Sequence, residues 1–159
     1  MAIEKVKEYF KKYNMENRVQ EFKVSSATVE LAAKALHCEP CRIAKTLSFM
    51  VDGYPVLIVA AGDAKIDNSK YKAQFRTKAK MLSPEEVETM IGHAIGGVCP
   101  FAVNNEVTIY LDESLKRFQT VFPACGSSNS AIELTIKELE QYSAFHSWID
   151  VCKGWSKNE

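Results

Sequence analysis

The chain has 159 residues, 47% hydrophobic and 25% charged, which fits one domain able to bury about 70% of its unfolded surface and excludes wholesale disorder. Twenty basic side chains balance twenty acidic ones, so nucleic-acid contact would have to come from a local patch and not from the chain as a whole. The longest apolar run, Val56–Ala61, is too short to cross a bilayer, and five cysteines without a secreted-type framework point to reduced thiols in a cytoplasm.

Ile3, Val6, Phe10 and Tyr13 fall at helical spacing among Glu4, Lys5, Lys7 and Lys11, so the start reads as an amphipathic helix and not as a secretory leader. Gln20, Phe22 and Val24 mark a short strand. Val29, Ala32, Ala33 and Leu36 trace one face of a helix with Ser26 as its cap. Leu47, Phe49 and Val51 alternate as a half-buried strand, Asp52-Gly53 signals a hairpin, and Val56–Ala61 returns as a deeply buried strand. A short helix is expected near Ser69–Phe75. Ser83-Pro84-Glu85-Glu86 predicts a capping box with proline at the first helical position, opening a helix that runs to Ile91 and stops at Gly92. After the glycine-rich loop Gly96–Pro100, strands are expected at Val107–Leu111, Thr120–Pro123 and Ala131–Leu134. Thr135-Ile136-Lys137-Glu138 opens a last helix, to about Ser143, before a loose tail at 150–159. Strands and helices are mixed without regular βαβ alternation, which predicts an α+β fold: one mixed sheet with helices packed outside, a single domain over 1–159.

Two cysteine groupings invite chemistry. Cys38-Glu39-Pro40-Cys41, with His37 adjacent, has the spacing of a redox pair or half a zinc site, yet no second ligand pair follows and the motif succeeds a helix. Cys99 lies near His93 without an identifiable third orienting group, so a pocket wall is the plainer reading than a nucleophile. The stretch 65–80 carries Lys65, Lys70, Lys72, Arg76, Lys78 and Lys80 against Asp67 alone, interleaved with Tyr71 and Phe75. It reads either as a phosphate-contacting surface with stacking aromatics, or as a solvated helix face with its aromatics turned into the core.

Three separated segments resemble the YbaK/ProX family of aminoacyl-tRNA deacylases, which includes the editing insertion of bacterial prolyl-tRNA synthetases. They are Ser25–Ala33 leading to Ile43-Ala44-Lys45-Thr46-Leu47; Gly92–Phe101, matching a Gly-x-x-x-Pro loop; and Ile109–Leu115 followed by Ala124-Cys125-Gly126 and Ile132-Glu133-Leu134. Cys99, Ala102 and Ile91 depart from the family, which often has Ser, Gly and Thr there. The resemblance implies a strongly twisted, partial-barrel sheet. It also implies hydrolysis of a small amino acid from a mischarged tRNA in the cytoplasm, with no cofactor or metal and no membrane. Its partners would be the tRNA 3′ end and acceptor stem, and a cognate synthetase.

The implied catalytic set is Lys45 with the loop Gly96, Gly97, Val98, Cys99 and Pro100. The implied substrate-binding set is Ser26, Thr46, Ile91, Gly92, His93, Phe101, Asp112 and Gly126. In that reading Lys45 holds the terminal phosphate or polarises the ester, the loop N–H groups stabilise the oxyanion, and the free ribose hydroxyl of the tRNA assists the water. A solvated surface lysine is the bland alternative for Lys45, and a strand end the bland alternative for Asp112. A non-catalytic tRNA-binding module of the same fold and a zinc or redox protein using Cys38 and Cys41 are the rival functions.

Overall fold

A computed structural model describes residues 2–156. Helix α1 (Ala2–Lys11) buries Val6 and Phe10 and leaves its lysines outward. Its Phe10 ring meets Phe101 edge-on at 4.9 Å and Tyr142 at 5.9 Å, joining the two ends of the chain through one aromatic cluster.

The centre is a six-stranded mixed sheet. Strands β2 (Ile43–Val51) and β3 (Tyr54–Ala61) form an antiparallel hairpin across Asp52 and Gly53, both at positive φ, as the tight turn requires. Strand β5 (Thr108–Asp112) lies parallel to β3, and β9 (Ser147–Ile149) parallel to β5. On the other side β6 (Thr120–Pro123) runs parallel to β2 and antiparallel to β8 (Leu134–Thr135). The order β8-β6-β2-β3-β5-β9 curls into a half-barrel, and β3, apolar from Pro55 to Ala61, is buried at its heart. Two ribbons clip loops to this body: β1 (Gln20–Glu21) with β7 (Ser130–Ala131), and β4 (Lys65–Ile66) with β10 (Cys152–Lys153).

The β2–β6 seam is short. It pairs only Ile43 with Phe122 and Ala44 with Pro123; further along the same edge of β2, the carbonyl of Ser48 accepts from the N–H of Leu82 and the N–H of Met50 donates to the carbonyl of Lys80. Between those anchors the edge opens at Thr46.

Helix α2 (Val29–Leu36) is capped by Thr28, whose hydroxyl accepts from the N–H of Leu31 at 3.2 Å. The expected cap, Ser26, lies two residues too early, and its hydroxyl is buried without a partner. Helix α3 (Asn68–Phe75) is capped by Asp67. The Ser83–Glu86 capping box is complete: α4 (Pro84–Glu86) widens into a π-type turn over Val87–Ile91 that ends on Gly92. The Thr135–Glu138 box opens α5 (Ile136–Ser143) in the same way. The early strand stops at Glu21, short of Phe22 and Val24, and the Ala131–Leu134 strand is divided between β7 and β8.

The segment expected to be loose, 150–159, is anchored through its described part. Val151 and Cys152 are buried, the Val151 N–H donates to Asp112 at 2.9 Å, and β10 pairs with β4. Residues 157–159 lie outside the described residues.

Candidate active site

A cleft of about 350 Å³ opens at the β2–β6 seam. Its floor is Ile43–Ser48 of β2 with Phe122 and Ala124. One wall is Ser26–Val29 at the entrance to α2, and the other is Met81, Leu82, Val87, Ile95, Gly96 and Val98. Met81 and Ile95, each 59% exposed, stand at the mouth as large apolar side chains in contact with water.

Among the expected site residues, the structure brings Lys45, Thr46, Ser26, Gly96 and Val98 together around this cleft. Lys45 is half-buried, and its ammonium donates to the carbonyl oxygens of Ala64 and, at 3.4 Å, Gly62. Burial first, opposed by the nearby Asp63, holds it below the usual lysine range. The hydroxyls of Ser26 and Thr46 are buried without a hydrogen-bond partner, an uncommon state that a bound ligand can relieve.

The remaining residues of the glycine loop support the wall from behind. Gly97 packs so closely on the neighbouring loop that a Cβ would lie 2.5 Å from the Ser127 nitrogen, so the two loops are joined at a site that admits only glycine. Cys99, Pro100 and Phe101 are buried beneath the cleft, not in its lining. Burial pushes the Cys99 thiol up to about 12, so it holds a proton at neutral pH and is no nucleophile. His93 is 1% exposed, with Nε2 donating to the Phe101 carbonyl at 2.8 Å, Cys99 Sγ 3.6 Å away and Nδ1 buried without a partner. Burial lowers its pKa, opposed by the Phe101 bond, so the ring is neutral. Gly92, His93 and Gly126 line a separate cavity of about 510 Å³ behind the loop.

Two of the expected residues lie away from the cleft lining. Ile91 is wholly buried in the core and does not reach the cleft. Asp112 is also fully buried, with one oxygen accepting from the Ser114 N–H at 3.0 Å and the other from Val151; it caps a helical turn and ties down the C-terminal segment.

In the basic stretch the aromatics face inward. Tyr71 is fully buried and not offered for stacking on bases; its ring centroid lies 4.7 Å from that of Phe75, a partly buried ring that in turn packs on Tyr110. Lys70 is engaged by Asp150 and the Cys152 carbonyl, each at 3.0 Å. Lys65, Lys72, Arg76, Lys78 and Lys80 are exposed, and Lys72 and Lys78 line a groove of about 460 Å³ with Asn68 and Ser69. Residues 78–80 lead straight into Met81 at the cleft mouth.

Cys38 and Cys41 are free and partly buried, and burial raises both thiols above their ordinary range. Among the described residues no group of three or more His, Cys, Asp or Glu side chains is arranged to hold a metal, and no helix is long and apolar enough to cross a membrane. Sequence reading missed the Gly62–Ala64 turn that holds Lys45. The turn signal Gly-Asp after a buried strand was visible, but nothing local linked it to Lys45.

This half-barrel is the architecture of trans-editing proteins. A solved structure described as a candidate trans-editing enzyme for prolyl-tRNA synthetase is 28% identical, with a TM-score of 0.85 over 96% of this chain and 98% of that one. The chain belongs to the aminoacyl-tRNA editing domain family, whose model matches residues 24–142. It is 59% identical to the uncharacterised protein YwhH of Bacillus subtilis over 98% of this chain and 99% of YwhH. It is 29% identical to EbsC of Enterococcus faecalis, named as a candidate Cys-tRNA(Pro)/Cys-tRNA(Cys) deacylase, over 67% of this chain and 66% of EbsC. Of the proline–tRNA ligase of Geobacillus thermodenitrificans, 31% identical, the chain spans 19%.

Proposed function

We propose that the chain is a trans-editing hydrolase that removes a small amino acid from a mischarged tRNA in the cytoplasm. The observation that carries this reading is the Lys45 ammonium, partly desolvated and held by main-chain carbonyls at the edge of a small, largely apolar cleft. A cation fixed in a low-dielectric wall stabilises charge developing on an ester oxygen more strongly than one in water, and needs no reorganisation. The same charge suits the terminal phosphate. Gly96 presents main chain on a wall of the same cleft for the ribose or the oxyanion.

The apolar lining of the cleft, with Ile43, Leu47, Val87, Val98 and Phe122, suits the side chain of the esterified amino acid. A pocket distinguishes one methylene by only ~1–3 kcal/mol, so a synthetase that admits a smaller amino acid gains from a second site that small side chains enter. EbsC, a candidate Cys-tRNA(Pro)/Cys-tRNA(Cys) deacylase by its name, agrees with that size class. Among the described residues that line the cleft none is a histidine or carboxylate, and His93 is buried behind its wall, which favours assistance by the free ribose hydroxyl of the substrate. Lys78 and Lys80 precede Met81 of the cleft mouth along the chain, Lys72 shares a groove with Lys78, and all three suit the acceptor-stem phosphates. A cognate synthetase that releases the mischarged tRNA is the natural partner.

The test is a deacylation screen over a panel of mischarged tRNAs. Hydrolysis of a small aminoacyl ester is the expected result. Binding of tRNA without turnover on any substrate would turn the reading to a non-catalytic tRNA-binding module.

A further inference from the structure

Lys45 is held by a turn that is itself clamped. Between its two acceptors, Gly62 and Ala64, sits Asp63, whose carboxylate meets Arg117 in a two-pronged pair: Nη1 to Oδ2 at 2.9 Å and Nη2 to Oδ1 at 2.6 Å. The Arg117 side chain is only 3% exposed. Its Nε donates to the Ser114 carbonyl at 2.9 Å, and its guanidinium lies 4.7 Å from the Phe118 ring centroid and 5.1 Å from that of Trp155. The turn is braced on its other side as well, because a Cβ at Gly62 would lie 2.0 Å from the Pro40 carbonyl oxygen.

A sequestered ion pair adds little net stability, because desolvation offsets most of its attraction; its distinctive property is geometric, since a guanidinium fork admits one orientation of a carboxylate. We propose that Asp63 and Arg117 are positioning residues for Lys45: their pair fixes the Gly62–Ala64 turn so that two carbonyls aim the ammonium at the cleft, with Trp155 of the C-terminal segment closing over the pair. Two N–H groups of Lys45 are thereby occupied and the third remains for substrate. This inference rests on the reading of Lys45 as the cation of the site.

The charges that bear on Lys45 are Asp63 and Glu30, which favour its protonated form, and Lys65, which opposes it; the Cys152 thiol is its other titratable neighbour, and burial first pushes that thiol up to about 12. Arg117 balances Asp63. Removing one member of the pair leaves the other uncompensated beside Lys45, and the two removals act with opposite sign.

The experiment follows the titration of Lys45 through the 13C shift of its ε-carbon in lysine-labelled protein, with the signal assigned by its loss in Lys45→Arg. Asp63→Asn should lower the midpoint by about half a unit or more, and Arg117→Met should raise it by a similar amount. Arg117→Lys, which keeps the charge, should return it towards the wild-type value. Midpoints that stay put in both variants, or move the same way, overturn the proposal. Circular dichroism checks each variant; should Arg117→Met not fold, Asp63→Asn, a shape-conserving change at a partly exposed carboxylate, decides alone. On a tRNA that the wild type deacylates, Asp63→Asn should lower kcat about tenfold with KM within about twofold; an unchanged kcat also overturns it. A wild type inactive on every tRNA, with Lys45 titrating as described, sinks the proposed function and keeps the clamp. Full activity with an unmoved Lys45 does the reverse.

Discussion

The Nε2–H of His93 reaches the carbonyl oxygen of Phe101, 2.8 Å away, and so closes the glycine-rich loop across eight residues. The ring is buried and neutral, which gives the loop a pH dependence. An unfolded histidine titrates near ~6.5, whereas the folded His93 titrates lower; between those values the unfolded chain binds a proton that the folded chain refuses. Stability therefore falls as pH drops from about 6.5 through that window and levels off below the folded value. His93→Gln should remove this part of the slope, as read by denaturant unfolding at about pH 8 and about pH 5. An identical slope in the variant would assign the effect to other groups.

Lys45→Ala should leave the fold intact and reduce deacylation by at least about 10–100-fold, the scale of one charge-assisted contact worth ~1.5–3 kcal/mol. Single-turnover rates on the best substrate of the panel measure it. Wild-type turnover would remove Lys45 from the chemistry.

Cys99→Ser should stay within about tenfold of wild-type activity, because the thiol is protonated and lies beneath the cleft. Mass spectrometry of the quenched reaction should find no acyl group on Cys99. An acyl-enzyme there would overturn both the placement and the mechanism.

Ala102 has φ +53°, a left-handed conformation that costs an L-residue about 1–2 kcal/mol, and it stands where the resembled family often has glycine. Ala102→Gly should therefore stabilise the protein, by roughly 1 kcal/mol after the added entropy of the unfolded chain is set against the relieved strain. A lower midpoint in chemical denaturation would show that the Ala102 methyl group contributes more packing than its backbone costs.

A tRNA ending in 2′-deoxyadenosine and charged on its 3′ hydroxyl should bind normally and be hydrolysed about a hundredfold or more slowly, the scale of one lost general acid–base group. Undiminished hydrolysis would require a base within the protein. The search for it would then begin with His93, although its ring lies behind the loop and would have to move.

Much of the fold was legible because its signals are local. Asp52-Gly53 sets its hairpin through two residues, and the Ser83–Glu86 and Thr135–Glu138 boxes each complete themselves within four. The Thr28 cap was hidden behind Ser26, an equally good capping residue two positions away. Ser26, Lys45, Thr46, Gly96 and Val98 were marked by family resemblance alone, and the fold groups them around one cleft. What holds them could not be read along the chain. Asp63 and Arg117 are 54 residues apart and Asp112 and Val151 39 apart, so only the folded sheet shows that each pair meets. The same distance effect hid the order of residues 151–153, whose β10 is created by β4 and not by its own composition.

The opening of the sheet at Thr46 places a different kind of recogniser in the cleft. In a regular strand alternate residues send their peptide groups to the same edge, and Ala44 and Ser48 send theirs to the β6 side. The Thr46 peptide falls in that series, one N–H and one C=O left over in a ladder that stops before it and resumes after it. Such a vacancy belongs to the polymer backbone and not to any side chain. Thr46→Val would remove the buried hydroxyl and leave the ladder vacancy in place, whereas proline at that position would delete the donor. A scan of the cleft by alanine would pass over this part of the site without registering it.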